Sequence, residues 1–509
     1  VNADESNSGR EQGRGRQGRN RKDTPRGGRQ AGNTRPGPRR SGEDPGRRGP
    51  RRSEPKSLVD PARHVAWDVL NAVRTRDSYA NLMLPALLRE RKITGRDAAF
   101  ATELTYGTCR AFGLLDAIIG AAADRDVSTI DGDVLDVLRL SGYQLLRTRV
   151  AAHAAVSTGV ALAREQSGEH ITGFVNAVLR RISQKTEAEW VAELSPPDPI
   201  GRLAFTHAHP RWIAQAFADA LGAAAGELAD ALAADDARPV VHLAARPGEI
   251  SGEELALITG GEEGPYSPYA VRLESGGDPT GLEPVRDGLA FVQDEGSQLV
   301  ALAAVRAEVD GDDRGRWLDL CAGPGGKAVM MGSLARIDGA HLDAVEVAPH
   351  RAKLVRQAVD GLPVTVHEAD GRDPNLAPGF DRVLVDAPCT GLGALRRRPE
   401  ARWRRQSSDI RELAKLQREL LESAVKLVRP GGVVVYSTCS PHLAETTMIV
   451  AQAVRKHTLE ELDASAILGD IERASNGKSV QLWPHRHGTD AMLVAVLKKP
   501  QHPQQLAAE

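Results

Sequence analysis

Arg316-Trp-Leu-Asp-Leu320, followed by Cys321-Ala-Gly-Pro-Gly-Gly-Lys327, decides how the C-terminal half of the chain folds. Trp317, Leu318 and Leu320 make the first stretch a short buried strand. The glycines that follow let the backbone turn sharply and approach a ligand at the start of the next helix. A dinucleotide fold would carry a G-x-G-x-x-G spacing at this point. Here Pro324 stands between Gly323 and Gly325, and no glycine follows three positions after Gly325. The turn therefore suits a ligand without a pyrophosphate.

Downstream, short apolar runs alternate with helical ones. Leu342-Asp-Ala-Val-Glu-Val347, Val364-Thr-Val366, Arg382-Val-Leu-Val-Asp386 and Gly432-Val-Val-Val-Tyr436 read as further strands, with a helix from Ile410 to Val428 before the last. Buried strands joined by helices predict a doubly wound α/β sheet over 294–500. Glu346, Asp370 and Asp386 then stand at or just after successive strand ends, which sets a binding crevice at the carboxyl edge of the sheet. At the second strand an acid can accept from both ribose hydroxyls; at the third it can accept from an adenine amino group. Asp386-Ala-Pro-Cys-Thr-Gly391 and Ser437-Thr-Cys-Ser440 each follow directly from a strand, so both thiols are expected over the same crevice.

Upstream, Ala62, Val65, Ala66, Val69 and Leu70 recur at helical spacing, as do Val134, Leu135, Leu138, Leu145 and Leu146. This predicts an all-helical domain over 57–190. A small α+β connecting domain is expected over 191–293, with a helix from Trp212 to Leu232 and a strand at Val240-Val-His-Leu243. Residues 1–56 hold 16 Lys and Arg against 7 Asp and Glu, with almost no large apolar side chain, and read as a disordered Arg/Gly-rich tail. The rest of the chain is net acidic, so the tail points to an anionic partner such as RNA. Residues 501–509 read as a second tail.

The four cysteines lie far apart with no Cys-x-x-Cys pair, which argues against a zinc site or a disulfide framework. No metal, no membrane span and no secretory leader is expected, and lone thiols fit a reducing cytoplasm.

The loop Cys321–Lys327, the Asp386–Cys389 block and the Thr438–Ser440 block resemble the RNA (cytosine-5)-methyltransferase family of the Sun/Nop2 type. Glu103-Leu-Thr-Tyr-Gly-Thr-Cys-Arg110, Leu138-Arg-Leu-Ser-Gly-Tyr-Gln-Leu-Leu146 and Gly173-Phe-Val-Asn-Ala-Val-Leu-Arg180 resemble the NusB-like helical RNA-binding fold. Together they liken residues 57–499 to the bacterial members of that family that act on 16S rRNA at cytosine 967. The chain departs from the family with Gly323 where alanine is commoner and Glu346 where aspartate is usual. Val241-His-Leu-Ala-Ala-Arg246 likewise lacks the usual Leu-Arg-Val-Asn pattern.

The resemblance implies a Rossmann-like methyltransferase domain that binds S-adenosyl-L-methionine through Cys321, Ala322, Gly323, Pro324, Gly325, Gly326, Lys327, Glu346, Asp370 and Asp386. It implies Cys439 as the nucleophile and Cys389 as the thiol that assists product release, with Asp386 and Lys327 facing the target base. A closing hairpin is implied at Pro484-His-Arg-His-Gly-Thr-Asp490 and the strand after it. The chemistry accounts for such a constellation, because cytosine carbon 5 becomes nucleophilic only after a thiolate has added to carbon 6. Arg396, Arg397, Arg398, Arg402 and Trp403 are expected to contact RNA by neutralising phosphates and stacking a base. The chain is expected to act as a monomer. A tRNA substrate, or a noncatalytic RNA-binding factor built on the helical domain, are the alternatives.

Overall fold

The computed structural model describes residues 59–274 and 278–501. The segment 1–56 and all but the first residue of 501–509, both read above as tails, lie outside the described residues.

Among the described residues, six α-helices come first: α1 Pro61–Thr75, α2 Ala80–Glu90, α3 Gly95–Ala123, α4 Gly132–Arg147, α5 Ala152–Ser167 and α6 Thr172–Ile182. Asp60 caps α1 by accepting from the Arg63 amide, with Pro61 in the first turn, where its missing N–H costs nothing. Val65, Leu70, Leu104, Leu115, Leu138 and Leu179 fill the core between them. The three motif blocks of this region fall on α3, α4 and α6, and the first two meet. A Cβ at Gly107 would lie 2.0 Å from the Tyr143 ring, so only glycine lets α4 come this close. The Tyr143 hydroxyl then donates to Glu103 on α3.

Helices continue past residue 190: α7 Glu187–Leu194, α8 Pro199–Thr206, α9 Arg211–Leu221 and α10 Leu228–Asp236. The expected helix from Trp212 to Leu232 is thus two helices joined by a 3-10 turn at Gly222–Glu227. Ile213, Phe217 and Leu232 share a core with Leu392, Leu395 and Trp483 of the catalytic half. A four-stranded antiparallel sheet follows in the order β2-β3-β1-β4. Its strands are β1 Val241–Ala245, β2 Glu262–Glu263, β3 Ala270–Leu273 and β4 Ala290–Val292, with α11 Gly252–Thr259 and α12 Glu283–Arg286 between them.

The C-terminal sheet contains β5 Arg316–Asp319, β6 His341–Val345, β7 Val364–His367, β8 Phe380–Asp386, β9 Val428–Thr438, β10 Glu460–Leu462, β11 Ser475–Asn476, β12 Ser479–Gln481 and β13 Leu493–Lys498. Its order is β11-β12-β13-β9-β8-β5-β6-β7, with β10 also on β13. The strands from β7 to β9 are parallel, and β13 runs antiparallel beside β9. Period-2 burial divides the strand residues between two helical layers. Trp317, Leu384, Val433 and Val435 face α13 Glu295–Arg306, α14 Gly326–Asp338 and α15 Pro349–Ala358. Leu318, Val383, Val385, Val434 and Tyr436 face α17 Asp409–Leu427 and α18 Thr447–His457. The chain leaves β5 toward β6 on one side and returns to β8 on the other, which opens a crevice at their carboxyl ends. The hairpin β12–β13 carries the short helix α20 Pro484–His487 in its connection, and α19 Ala464–Leu468 packs nearby.

The arginine-rich segment after Cys389 is a strut, and here the structure corrects the sequence reading. Arg402, on the one-turn helix α16 Ala401–Arg404, is completely buried and pairs with Asp235 at 3.0 Å and Asp236 at 3.2 Å. It also donates to the carbonyls of Ala208 and Asp235. The Trp403 indole sits in a notch over Gly113 of α3 and donates to the Cys109 carbonyl. Arg396 and Arg397 are held by Asp490 and Asp294, and Arg397 also reaches the Val240 carbonyl. These four side chains are spent on carboxylates and carbonyls inside the protein, so they are not free to meet phosphates or bases. Of the five, only Arg398 is exposed, near the Tyr79 ring. Arg402→Met leaves the Asp235 carboxylate without its cation, and about 3–5 kcal/mol of stability should be lost. A lower urea midpoint checks this; an unchanged midpoint contradicts the strut.

Candidate active site

Because β5, β6, β8 and β9 are parallel, Asp319, Glu346, Asp386 and Cys439 all reach the same edge of the sheet. The glycine loop is shaped by two close approaches. A Cβ at Gly323 would lie 2.1 Å from Glu346 Oε2, and Gly325 has φ +122° with its missing Cβ 3.1 Å from Ala358 on α15. Glu346 is buried against the loop, where its Oε2 accepts from the Gly323 amide at 3.1 Å and its Oε1 from the Ala348 amide at 2.9 Å. Arg351 lies beside it and donates to the Gly323 carbonyl. Asp370 follows β7 and is half-exposed, its carboxylate engaged by Arg372, which draws it below the ordinary carboxylate range. The next residue, Gly371, approaches the Leu320 carbonyl at the end of β5.

Lys327 and Asp386 form an ion pair of 2.7 Å at the mouth of this crevice. Burial alone would lower the Lys327 ammonium, but Asp386 outweighs it and holds the group above its usual range. Ser437 Oγ donates to the other Asp386 oxygen at 3.3 Å. Cys389 and Cys439, from two different loops, bring their sulfurs within 3.4 Å of each other. The Cys389 thiol is pushed well up by its hydrogen bond to Cys439, by burial and by nearby Glu445. Cys321 is pushed up by burial and by Asp319 and Asp386. The Ala322 amide is tied to the Val345 carbonyl at 2.9 Å, and Gly326 begins α14 under the Gln293 side chain.

Three residues that the sequence did not single out belong to this site. Asp319 is buried, with Oδ1 accepting from the Cys321 amide and Oδ2 without a partner. Burial and the neighbouring Asp386 raise its pKa to about 7. Gln293, just before α13, lies against Gly326, and its buried Oε1 also lacks a partner. Glu445 is fully buried beneath the two thiol loops, where it accepts from the Thr390 amide at 2.8 Å and from Ser440 Oγ at 2.7 Å. The signal for Glu445 was faint: an acid among small residues, six positions after Cys439. Among the described residues, no cluster of His, Cys, Asp and Glu could hold a metal ion, and no helix is long and apolar enough to cross a membrane.

Comparison with known proteins agrees with this geometry. Residues 307–498 match the family described as 16S rRNA methyltransferase RsmB/F, and residues 60–184 match the NusB family. A Mycobacterium tuberculosis protein that carries a methyltransferase name is 62% identical over 459 residues, covering 89% of this chain and 99% of that one. Ribosomal RNA small subunit methyltransferase B of Erwinia tasmaniensis is 31% identical over 449 residues, covering 86% of this chain and 98% of its own. Among solved structures, PH0851 shares the fold with a TM-score of 0.72 at 22% identity, over 87% of this chain and all of that one. The doubly wound sheet, the crevice and the helical front therefore belong to an S-adenosyl-L-methionine-dependent rRNA methyltransferase, and this chain is a member of the RsmB/F family.

Proposed function

We propose that the chain methylates carbon 5 of a cytosine in 16S rRNA, with Cys439 as the covalent nucleophile and Cys389 as the thiol that assists release. The observation that carries this reading is the 3.4 Å contact between the two sulfurs beside the Lys327–Asp386 pair. Two thiols on separate loops have no packing reason to converge at a strand edge, whereas the chemistry requires two groups there.

The crevice fits S-adenosyl-L-methionine. Asp319 Oδ2 and Gln293 Oε1 are buried acceptors without partners beside the glycine loop, matched to a ligand that brings an ammonium group. Glu346 would hold the ribose hydroxyls, the loop from Cys321 to Gly326 would lie along the amino-acid portion, and Asp370 would face the adenine. When bound, the cofactor supplies a methyl group on a positively charged sulfur, open to attack by a carbon nucleophile.

The protein's own residues prepare that carbon. The target cytosine must leave its helix, since only a flipped ring exposes carbon 6 to a side chain. The Cys439 thiolate adds to carbon 6, and the electron pair of the 5,6 double bond becomes available at carbon 5. Lys327 and Asp386, facing the polar edge of the base, stabilise the charge that develops on it. After methylation a water molecule takes the carbon 5 proton, the C5–H pair restores the double bond as the sulfur–carbon bond breaks, and the electron pair of that bond returns to Cys439.

RNA phosphates need cations other than those of the strut. Arg411, Lys415 and Arg418 lie exposed at i, i+4 and i+7 on α17. This helix reaches the Cys389 loop through Gln417, which donates to the Pro388 carbonyl at 2.9 Å. With exposed Arg398 they are the cations assigned to phosphate contact.

Cys439→Ala should abolish methyl transfer, whereas Cys389→Ala should accumulate a covalent protein–RNA adduct seen as a slowly migrating band. Adduct formation by Cys439→Ala would contradict the assignment. Bisulfite mapping of 16S rRNA and tRNA with and without the enzyme identifies the substrate; an unchanged 16S pattern refutes it. Cofactor affinity should fall as pH drops through about 7, because a cation on Asp319 requires its carboxylate and binding must then expel a proton. Calorimetry in buffers of different ionisation heat reads that proton, and Asp319→Asn should remove it. Replacing Arg411 and Lys415 together by glutamate should weaken RNA binding at low salt and flatten its salt dependence.

A further inference from the structure

Two cysteines 3.4 Å apart cannot both be thiolates, and something must decide which one ionises. The protein surrounds them asymmetrically. On one side, the Lys327 ammonium interacts with Cys439. On the other, Glu445 is fully buried and accepts four hydrogen bonds, all from neutral donors. The Thr390 amide and Gln417 Nε2 donate to Oε1 at 2.8 and 3.1 Å, and the hydroxyls of Thr390 and Ser440 donate to Oε2. Thr390 and Ser440 are the immediate neighbours of Cys389 and Cys439, so one carboxylate clamps both thiol loops. The Tyr436 hydroxyl holds the Glu445 carbonyl at 2.8 Å, which fixes the turn that carries the acid.

We propose that Glu445 is a positioning residue that gives the two thiols different roles. Its buried negative charge next to the Cys389 loop keeps that sulfur protonated, so that Cys389 donates its S–H to Cys439 and Cys439 alone is the thiolate. This rests on the roles assigned above to Cys439 and Cys389, and extends them by naming what tells the two apart. The charge acts through space on Cys389 and adds to the hydrogen bond with Cys439 and the burial that push this thiol up most. The other titratable groups around the pair are consistent with this. Burial lowers His442 and pushes Tyr436 and Cys321 up, while Lys327, paired with Asp386, stands on the Cys439 side. A buried carboxylate whose partners are all neutral still acts on a neighbouring thiol. The same hydrogen bond would stabilise the Cys439 thiolate when it leaves carbon 6, since the departing electron pair finds the Cys389 proton waiting.

The test is the pH dependence of alkylation of each cysteine in the full chain, read peptide by peptide by mass spectrometry after short exposure to iodoacetamide. In the native protein, Cys389 should stay protected to a higher pH than Cys439. Glu445→Gln removes the charge but keeps a side chain of the same shape, and the hydroxyls of Thr390 and Ser440 can reorient to accept from it. The Cys389 midpoint should fall by about one pH unit or more, a roughly tenfold gain in reactivity at fixed pH. A folded Glu445→Gln protein with an unmoved Cys389 midpoint overturns the proposal. Thr390→Val covers the case in which that variant does not fold. It keeps the carboxylate and removes a donor to it, so the Cys389 midpoint should stay or rise, and a fall overturns the proposal. Methyl transfer that survives in Cys439→Ala would instead overturn the nucleophile assignment while leaving the alkylation midpoints as they are, so the two failures are separable.

Discussion

The Arg402 guanidinium, sealed from solvent between Asp235, Asp236 and the carbonyls of Ala208 and Asp235, is the constraint on which the arrangement of the described parts depends. A buried cation needs acceptors, and those that the two terminal nitrogens of Arg402 find all come from segments outside the catalytic half. The strand-to-helix connection that carries it also holds Gly393, whose amide donates to the Cys439 carbonyl and whose carbonyl accepts from Ala491. The backbone that shapes the cysteine site is therefore continuous with the one that anchors the helical front. Placement of the nucleophile and attachment of the front are one structural problem, solved by one loop.

Within the crevice, the same economy appears as charge. Lys327, Arg351, Asp386, Asp319, Glu346 and Glu445 put two cations and four acids around two sulfurs and a glycine turn. Amides and hydroxyls carry most of the compensation for two of these acids. Glu346 takes its bonds from Gly323 and Ala348, and Glu445 takes its bonds from Thr390, Ser440 and Gln417.

Much of this was legible because it is local. Strand, glycine turn and helix from Arg316 onward lie within a dozen residues, and the period-2 division of β8 and β9 between two cores is a property of consecutive side chains. The convergence of Cys389 and Cys439 followed from each standing just beyond a strand of one parallel sheet. The arginine strut was misread because a guanidinium looks the same in sequence whether it meets a phosphate or a carboxylate. Its partner Asp235 stands 167 residues earlier, on a helix that nothing marks as its neighbour. The helices after residue 190 were partly seen, but the 3-10 break at Gly222–Glu227 was not, because the apolar spacing runs through it. Asp319 and Gln293 were missed for another reason. What makes them informative is an oxygen without a partner, and an absence of that kind has no letter in the sequence.

The indole of Trp403, lodged over Gly113, bears on how such a chain can change over generations. A descendant that shed the helical front in a single deletion would present to water an indole, and next to it a guanidinium evolved to be dry, both within a few residues of a loop that shapes the nucleophile. Loss of the front is thus coupled to rewriting of the catalytic connection, and neither alteration is neutral alone. Lineages of this architecture are expected to keep or discard the two together, inheriting the front and its docking tryptophan as one unit.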